Sequence, residues 1–153
     1  MLYLVQHGEA TTKDHNPDRP LTERGEVAIS NLGQFMEQAG VPVESVLESG
    51  KLRARQTAEI LSEYLTPGLA PEEMAGLGAT DPVAPVIDKI RELDCHLMLV
   101  SHMPLVGAVT GELVAGAEDR PPVAFQPGTA VALEWAEEQG WQVAWMIRPE
   151  LLR

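Results

Sequence analysis

The order of apolar segments along the chain constrains its fold most strongly. Short strand-like runs of β-favouring residues alternate with longer amphipathic runs of helical periodicity. Strands are predicted at 1–7, 45–49, 95–100, 129–135 and 141–147, with a possible short one at 73–77, and helices at 22–40, 52–65, 81–93 and 105–115. This βα order favours a mainly parallel sheet with helices on both faces. We therefore expect a three-layer α/β fold in a single domain spanning residues 1–153, ending in a hairpin.

The composition of the chain disfavours some classes of binding partner. The net charge is −12, from 23 acidic against 11 basic side chains, which disfavours nucleic acid and anionic membranes as partners. The single cysteine, Cys95, excludes an internal disulfide and is expected in the core of a cytoplasmic protein. Neither a signal peptide nor an apolar run of about 18 residues is recognisable, so we expect no targeting or membrane segment.

Polar side chains follow three of the predicted strands. Gln6, His7 and Gly8 end the first strand, Arg53 follows the second, and His102 follows the strand at 95–100. The carboxyl ends of parallel strands meet at one edge of a sheet, where open α/β folds bind ligands. A neutral imidazole is a good nucleophile toward phosphorus, and an arginine binds phosphate oxygens bidentately. A second, protonated imidazole and helix N-termini add donors, so this edge is suited to a phosphoryl group.

Four motifs carry a resemblance to a known family. They are His7-Gly8-Glu9, the run from Arg19 to Gly25, the run from Ser49 through Arg53 to Thr57, and the run from Val100 to Val106. In this order and in a chain of this length, they resemble the histidine phosphatase superfamily. The similarity is greatest to its short, SixA-type branch of phosphohistidine phosphatases. The resemblance implies a phosphoglycerate-mutase-like fold and hydrolysis of phosphohistidine in a protein, with no cofactor and no metal.

The resemblance also implies roles for individual residues. His7 becomes the nucleophile that is transiently phosphorylated, Arg53 holds the phosphoryl oxygens, and His102 donates to them. Gly8 lets the backbone pass close to the pocket and offers its carbonyl to the other ring nitrogen of His7. Arg19 lies at the rim of the substrate entrance. Further phosphate-binding candidates at the same strand ends are Gln6, Lys51 and Ser101. The implied partner is a phosphorylated protein, such as a histidine phosphotransfer domain.

Gln6 departs from the family pattern, which begins Arg-His-Gly. A glutamine offers one amide donor group and no charge, and loss of a charged donor costs about 3 kcal/mol, or about a hundredfold in rate. Three interpretations stay open. Gln6 still donates, in a slower or more selective enzyme; a nearby cation compensates, with Lys51 or Arg19 better placed than Arg55; or the pocket binds phosphate with poor turnover.

The second departure concerns the general acid. Larger members of the family protonate the leaving group with a carboxylate, for which this chain has no clear counterpart. Glu9, Asp14, Asp18 and Asp81 qualify by position only; Asp81 is expected to cap a helix, and Asp14 and Asp18 to be solvated. Imidazole leaves more readily than an alkoxide, so such a site suits phosphohistidine better than phosphomonoesters. A phosphate-binding module without useful turnover and a general small-molecule phosphatase are the alternatives.

The sequence gives less support to a zinc site or to a serine hydrolase. His15 is expected to be solvated and His96 to pack, and no third histidine or cysteine has zinc-ligand spacing to His7 and His102. The Gly-x-Ser-x-Gly pattern of serine hydrolases is absent. The three tryptophans fall in the predicted C-terminal hairpin, where cross-strand packing is expected.

Overall fold

A six-stranded sheet forms the middle layer of the molecule. The computed structural model describes residues 1–152. Its strands are β1 (Leu2–Gln6), β2 (Ser45–Glu48), β3 (Glu72–Glu73), β4 (Leu97–Ser101), β5 (Ala130–Ala136) and β6 (Gly140–Ile147). Its α-helices are α1 (Glu23–Gln38), α2 (Leu52–Leu65), α3 (Val83–Glu92) and α4 (Leu105–Ala115), followed by a 3-10 turn at Pro149–Leu151.

The strand order places the polar strand ends at one edge. The order is β3-β2-β4-β1-β5-β6; β3, β2, β4 and β1 are parallel to one another, β5 is antiparallel to β1, and β6 is antiparallel to β5. β1 and β4 are buried along their whole length, as expected of strands covered on both faces. Because β1, β2 and β4 are parallel, the residues that follow them meet at the same edge. The predicted three-layer, mainly parallel fold is confirmed.

Alternating side chains of the sheet build two cores. Leu2 and Leu4 of β1 face α3 and α4, in a cluster with Val86 and Val109. Tyr3 and Val5 point to the opposite face, which α1 and α2 cover with residues that include Ile29, Leu32, Ala58 and Leu61. This period of two fixes the register of β1, since a slip by one residue would exchange the two faces. The end of β1 is therefore held in one position relative to the helices.

Two details of the predicted elements are confirmed. Thr22 caps α1, because its hydroxyl accepts a hydrogen bond from the backbone N–H of Gly25 at 3.0 Å. Trp135 and Trp141 lie opposite each other in the β5–β6 hairpin, with ring centroids 5.7 Å apart. No helix in the range 1–152 is both long and apolar enough to cross a membrane.

Three local predictions are wrong. The third strand lies at Glu72–Glu73 rather than 73–77, because a turn with a positive φ of 88° at Gly76 ends the extended segment. Asp81 does not cap α3; its carboxylate accepts from the backbone N–H of Gly78 at 2.7 Å, and Pro82 occupies the N-cap position. Cys95 precedes β4 and is only partly buried, packed against the first cluster.

Candidate active site

His7 lies immediately after the central strand and is 8% exposed. Its backbone N–H donates to the carbonyl of Ser101 at 3.0 Å, which ties it to the end of β4. Its ring Nδ1 is 2.7 Å from the carbonyl oxygen of Gly8, an acceptor, so Nδ1 carries the proton. The neutral ring then has its lone pair on Nε2. The backbone of the next residue therefore sets the tautomer that nucleophilic attack by Nε2 requires.

Gly8 is fixed by packing and by a threonine. A Cβ at this position would lie 2.8 Å from a side-chain carbon of Ile29, so a larger residue would have to displace that side chain. The N–H of Gly8 donates to the hydroxyl of Thr57 at 3.0 Å, and this hydroxyl donates to the carbonyl of Arg53 at 2.7 Å. Thr57 is fully buried. One hydroxyl thus connects the backbone beside His7 to the first turn of α2, which carries Arg53.

Arg53 contacts the predicted nucleophile directly. Its Nε donates to Nε2 of His7 at 3.2 Å. Burial, followed by the charge of Arg19, lowers the pKa of the Arg53 guanidinium from its usual value. A phosphoryl group that approaches Nε2 must displace the hydrogen bond from Arg53, because Nε2 uses the same lone pair to accept that bond and to attack phosphorus. The guanidinium is in place to bind the oxygens of such a group.

His102 completes the group at the end of β4. Its ring centroid lies 4.9 Å from that of His7. Its Nε2 is 2.6 Å from the hydroxyl oxygen of Ser49, at the end of β2. Its Nδ1 is buried and has no hydrogen-bond partner among residues 1–152. The structure therefore brings together the ends of β1, β2 and β4, as the sequence predicts.

Both histidines are held in the neutral state. Burial is the main cause that lowers the pKa of His7 to about 4. The hydrogen bond to the carbonyl of Gly8 raises this pKa, whereas the charges of Arg53 and Arg19 lower it further. Burial, then His7 and the nearby cations, lower the pKa of His102 to about 3. His7 is thus a neutral nucleophile at pH 7. The expectation that His102 is protonated is wrong for this structure, because burial and the cations disfavour a further charge.

Cations surround the two rings, although the chain as a whole is acidic. Arg19 and Lys51 are close enough to lower the pKa of His102, and Arg19 also acts on His7. Arg19 has a φ of 51°, an uncommon backbone conformation for a residue with a side chain, and its Nε donates to the carbonyl of Thr11 at 3.1 Å. Arg55 pairs instead with carboxylates of β2 and β3, as its place on another face of α2 predicts.

Ser101 and Gln6 differ from the other predicted phosphate ligands in the hydrogen bonding of their side chains. The hydroxyl of Ser101 is buried and donates to the carbonyl of Leu77 at 2.6 Å, so its prediction as a phosphate ligand is wrong. Ser101 shares a face of β4 with Leu97 and Leu99, which directs its side chain into the first core. Gln6 is 9% exposed, and its Oε1 is buried without a partner in the described chain. It ends β1 at the position where the resemblance implies an arginine.

The candidate carboxylates are engaged elsewhere or exposed. Glu9 accepts from the hydroxyl of Thr22 at 2.8 Å and pairs with Arg24 at 3.4 Å. Asp81 binds the N–H of Gly78 (described above), and Asp14 and Asp18 are exposed in their loop. The charged groups that shift the pKa of the two site histidines include no carboxylate. Over residues 1–152, no group of three or more His, Cys, Asp or Glu side chains is arranged to hold a metal ion.

Sequence reasoning missed two residues that organise the site. Ser49 and Thr57 stand inside the quoted motif, but the sequence assigned neither of them a contact. The available signal was a polar residue among buried positions: Thr57 falls on the same helical face as Ala54, Ala58 and Leu61, and is fully buried. A buried hydroxyl requires hydrogen-bond partners, so Thr57 was a candidate for a bond to backbone.

The comparisons with known proteins agree with this geometry. The family model of the histidine phosphatase superfamily (branch 1) matches residues 2–81. The chain belongs to this superfamily. An uncharacterized protein of Picosynechococcus sp. is 34% identical over an alignment of 113 residues that covers 69% of this chain and 68% of that protein. The phosphohistidine phosphatase SixA of Escherichia coli is 26% identical over 153 residues, covering 97% of this chain and 93% of that protein.

The structural comparison extends over the whole fold. The structure of the protein histidine phosphatase SixA complexed with tungstate superposes with a TM-score of 0.87 at 26% identity, covering 99% of each chain. The predicted phosphoglycerate-mutase-like fold, in its SixA-type form, is therefore confirmed. Family membership and the SixA relatives make the protein a phosphatase, a hydrolase of phosphate compounds.

The bridging hydroxyl of Thr57 leads to a stability prediction. Replacing Thr57 by Val keeps the shape but leaves the N–H of Gly8 without its buried acceptor, a loss of about 1–3 kcal/mol. We expect the Thr57→Val phosphatase to unfold at lower denaturant concentration and to lose about tenfold in activity, since Arg53 and His7 lose their shared support. Thr57→Ser, which keeps the hydroxyl, is the matched control. Wild-type stability and activity in Thr57→Val would contradict this role.

The neutral state of the two histidines is directly measurable. In an NMR titration of the free phosphatase, the imidazole signals of His7 and His102 should stay those of neutral rings from about pH 8 to about pH 5. Protonation should begin only as the pH approaches the lowered pKa values of about 4 and about 3. His7→Ala and His102→Ala assign the signals. A midpoint near the ordinary histidine value for either ring would show that burial does not exclude the charge.

Proposed function

We propose that this phosphatase removes the phosphoryl group from phosphohistidine in a protein, through a phosphorylated His7. The proposal rests on one observation about His7. Its tautomer is fixed by Gly8, so that its Nε2 has a free lone pair, and this atom contacts Arg53 beside the ring of His102. The same chain shares its fold with the protein histidine phosphatase SixA, whose structure was determined as a complex with tungstate. Nucleophile, guanidinium clamp and second donor are the three parts that phosphoryl transfer needs at one place.

The reaction would proceed in two displacements. Nε2 of His7 attacks phosphorus, the bond from phosphorus to the substrate nitrogen breaks, and its electron pair stays on the leaving imidazole. When the substrate ring carries a proton on its other nitrogen, it departs as neutral imidazole. Water then attacks phospho-His7, releases inorganic phosphate and restores Nε2. Arg53 and His102 would stabilise the negative charge spread over the phosphoryl oxygens in both steps.

The substrate class follows from the leaving group. A serine or sugar alkoxide needs a proton from a strong general acid, whereas imidazole, with a parent pKa of about 6.5, does not. The candidate carboxylates are engaged with Thr22, Arg24 and Gly78 or exposed, as described above, and the neighbours that shift the pKa of His7 and His102 are cations and the other ring. The SixA relatives are named for phosphohistidine. A histidine phosphotransfer domain is accordingly the partner we propose.

Arg19 and Lys51 would supply part of the charge that Gln6 lacks. Both lower the pKa of His102 through their charge, so their fields reach the place where the phosphoryl group would lie. The strained backbone at Arg19 and the bond from its Nε to Thr11 hold that side chain near the entrance. Gln6 itself would contribute its amide. The resulting site retains positive potential in a chain of net charge −12.

A substrate panel tests the proposal. The measured quantity is kcat/KM on a phosphohistidine protein, a phosphoserine peptide, a sugar phosphate and an aryl phosphate. We expect the phosphohistidine protein to exceed the serine and sugar esters by at least about a hundredfold, the size of a general-acid contribution. Faster turnover of the esters would identify a small-molecule phosphatase instead. Tight vanadate binding without turnover of any substrate would identify a phosphate-binding module.

A further inference from the structure

Ser49 makes the shortest side-chain contact of His102. Its hydroxyl oxygen lies 2.6 Å from Nε2 of the ring, across the neighbouring ends of β2 and β4. The resemblance to the family gives roles to other residues of the site but none to this hydroxyl. The contact involves one of only two nitrogens through which His102 can act, so its direction decides what the ring offers to a substrate.

The neighbours of the Ser49 hydroxyl favour one direction. The other hydrogen-bond neighbour of this hydroxyl in the described chain is the backbone N–H of Lys51, at 3.5 Å. That group is a donor and can only give a hydrogen to the oxygen. Nε2 of His102 is the acceptor within reach of the hydroxyl hydrogen among residues 1–152. This arrangement favours donation from the hydroxyl of Ser49 to Nε2.

This direction fixes the proton on the other side of the ring. An Nε2 that accepts carries no hydrogen, so the neutral imidazole has its hydrogen on Nδ1. Nδ1 is buried, and no acceptor for it exists in the described part of the chain. A buried donor without a partner costs about 1–3 kcal/mol, and a bound acceptor would recover part of that cost.

We propose that Ser49 is a positioning residue that holds His102 in the Nδ1–H tautomer, so that the neutral ring donates to a phosphoryl oxygen. The proposal rests on the proposed phosphohistidine phosphatase function. It explains how His102 stabilises the transition state without carrying a charge, in a site that already holds Arg53, Arg19 and Lys51. A phosphoryl group that displaces Arg53 from His7 lies beside this ring, since the two ring centroids are 4.9 Å apart.

The tautomer is tested by NMR without reference to activity. Two-bond proton–nitrogen spectra distinguish Nδ1–H from Nε2–H rings. The wild-type protein should show His102 as Nδ1–H at neutral pH, Ser49→Thr should keep that pattern, and Ser49→Ala should lose it. Ser45→Ala, at the opposite end of β2, is the matched control and should leave His102 unchanged. An Nε2–H ring in the wild type, or an unchanged ring in Ser49→Ala, would overturn the proposal.

Kinetics separate this role from a purely structural one. Ser49→Ala should lower kcat/KM on a phosphohistidine protein about tenfold at neutral pH, the size of one weakened hydrogen bond in the transition state. The loss should be the same from about pH 8 to about pH 5, because both rings stay neutral over that range. Ser49→Thr, which keeps the hydroxyl, should restore the rate. A wild-type rate in Ser49→Ala, or a loss that Ser49→Thr does not restore, would contradict the proposal. If the wild type fails to hydrolyse phosphohistidine while the tautomers behave as expected, the proposed function fails and the positioning role stands.

Discussion

Replacing His7 by Ala is expected to abolish turnover, with kcat on a phosphohistidine protein falling by about ten-thousandfold or more. The variant removes the imidazole whose Nδ1 bonds to the carbonyl of Gly8 and whose Nε2 accepts from Arg53. Water would then have to attack the substrate directly, without the covalent step that divides the reaction. Phosphate release measures the rate, and circular dichroism verifies that the variant is folded.

The matched control for this variant is His15→Ala. His15 is exposed in the loop before α1, so its removal should leave the rate unchanged. The fold should survive in His7→Ala as well, because the smaller side chain lies at the end of β1 and outside both cores. Retention of more than about a tenth of the wild-type rate by His7→Ala would contradict a covalent mechanism through His7.

Restoring arginine at position 6 is expected to raise kcat/KM by up to about a hundredfold. Gln6 follows Val5 at the end of the central strand, where its Oε1 is buried without a partner. An arginine would replace this unpaired acceptor by charged donors, close to where Arg53 would bind phosphoryl oxygens under the proposed function. Vanadate should bind more tightly to Gln6→Arg by a comparable factor, since the added charge also acts on the bound anion.

A second glutamine offers the control for charge alone. Gln38 lies at the exposed end of α1, and Gln38→Arg adds the same charge away from the site. Its kcat/KM should equal that of the wild type. If Gln6→Arg leaves both the rate and vanadate binding unchanged, Arg19 and Lys51 already supply the missing charge and the assumed cost of Gln6 is wrong.

The sequence predicts the parts of the site that depend on strand order. Buried runs that end in His7 and His102, and the motif that carries Arg53, are sufficient to place these residues on one edge, because parallel strands leave no other arrangement. The exclusion of Arg55 also follows from helical periodicity. These predictions depend on the direction of the chain and the period of its elements, both of which are readable from the order of residues.

The remaining features depend on tertiary contacts that the sequence does not specify. Ser101 looks like a ligand beside His102, but the alternation of β4 turns its hydroxyl toward Leu77. Asp81 has the right spacing to cap a helix, but the N–H of Gly78 competes for its carboxylate. The neutral state of His102 results from burial, from His7 and from cations on two separate segments, the loop of Arg19 and the start of α2. A change in the length of a strand or loop moves such contacts, although the local sequence pattern stays the same.

Trapping the phosphorylated enzyme tests the covalent mechanism through His7. The phosphatase is mixed with a phosphohistidine protein labelled on phosphorus, quenched with base within the first turnover to preserve phosphohistidine, and digested for mass spectrometry. We expect a phosphoryl group on the peptide that contains His7, absent from His7→Ala and lost again as turnover proceeds. Turnover with no label on the enzyme, or a label on another residue while His7 stays unmodified, would contradict it.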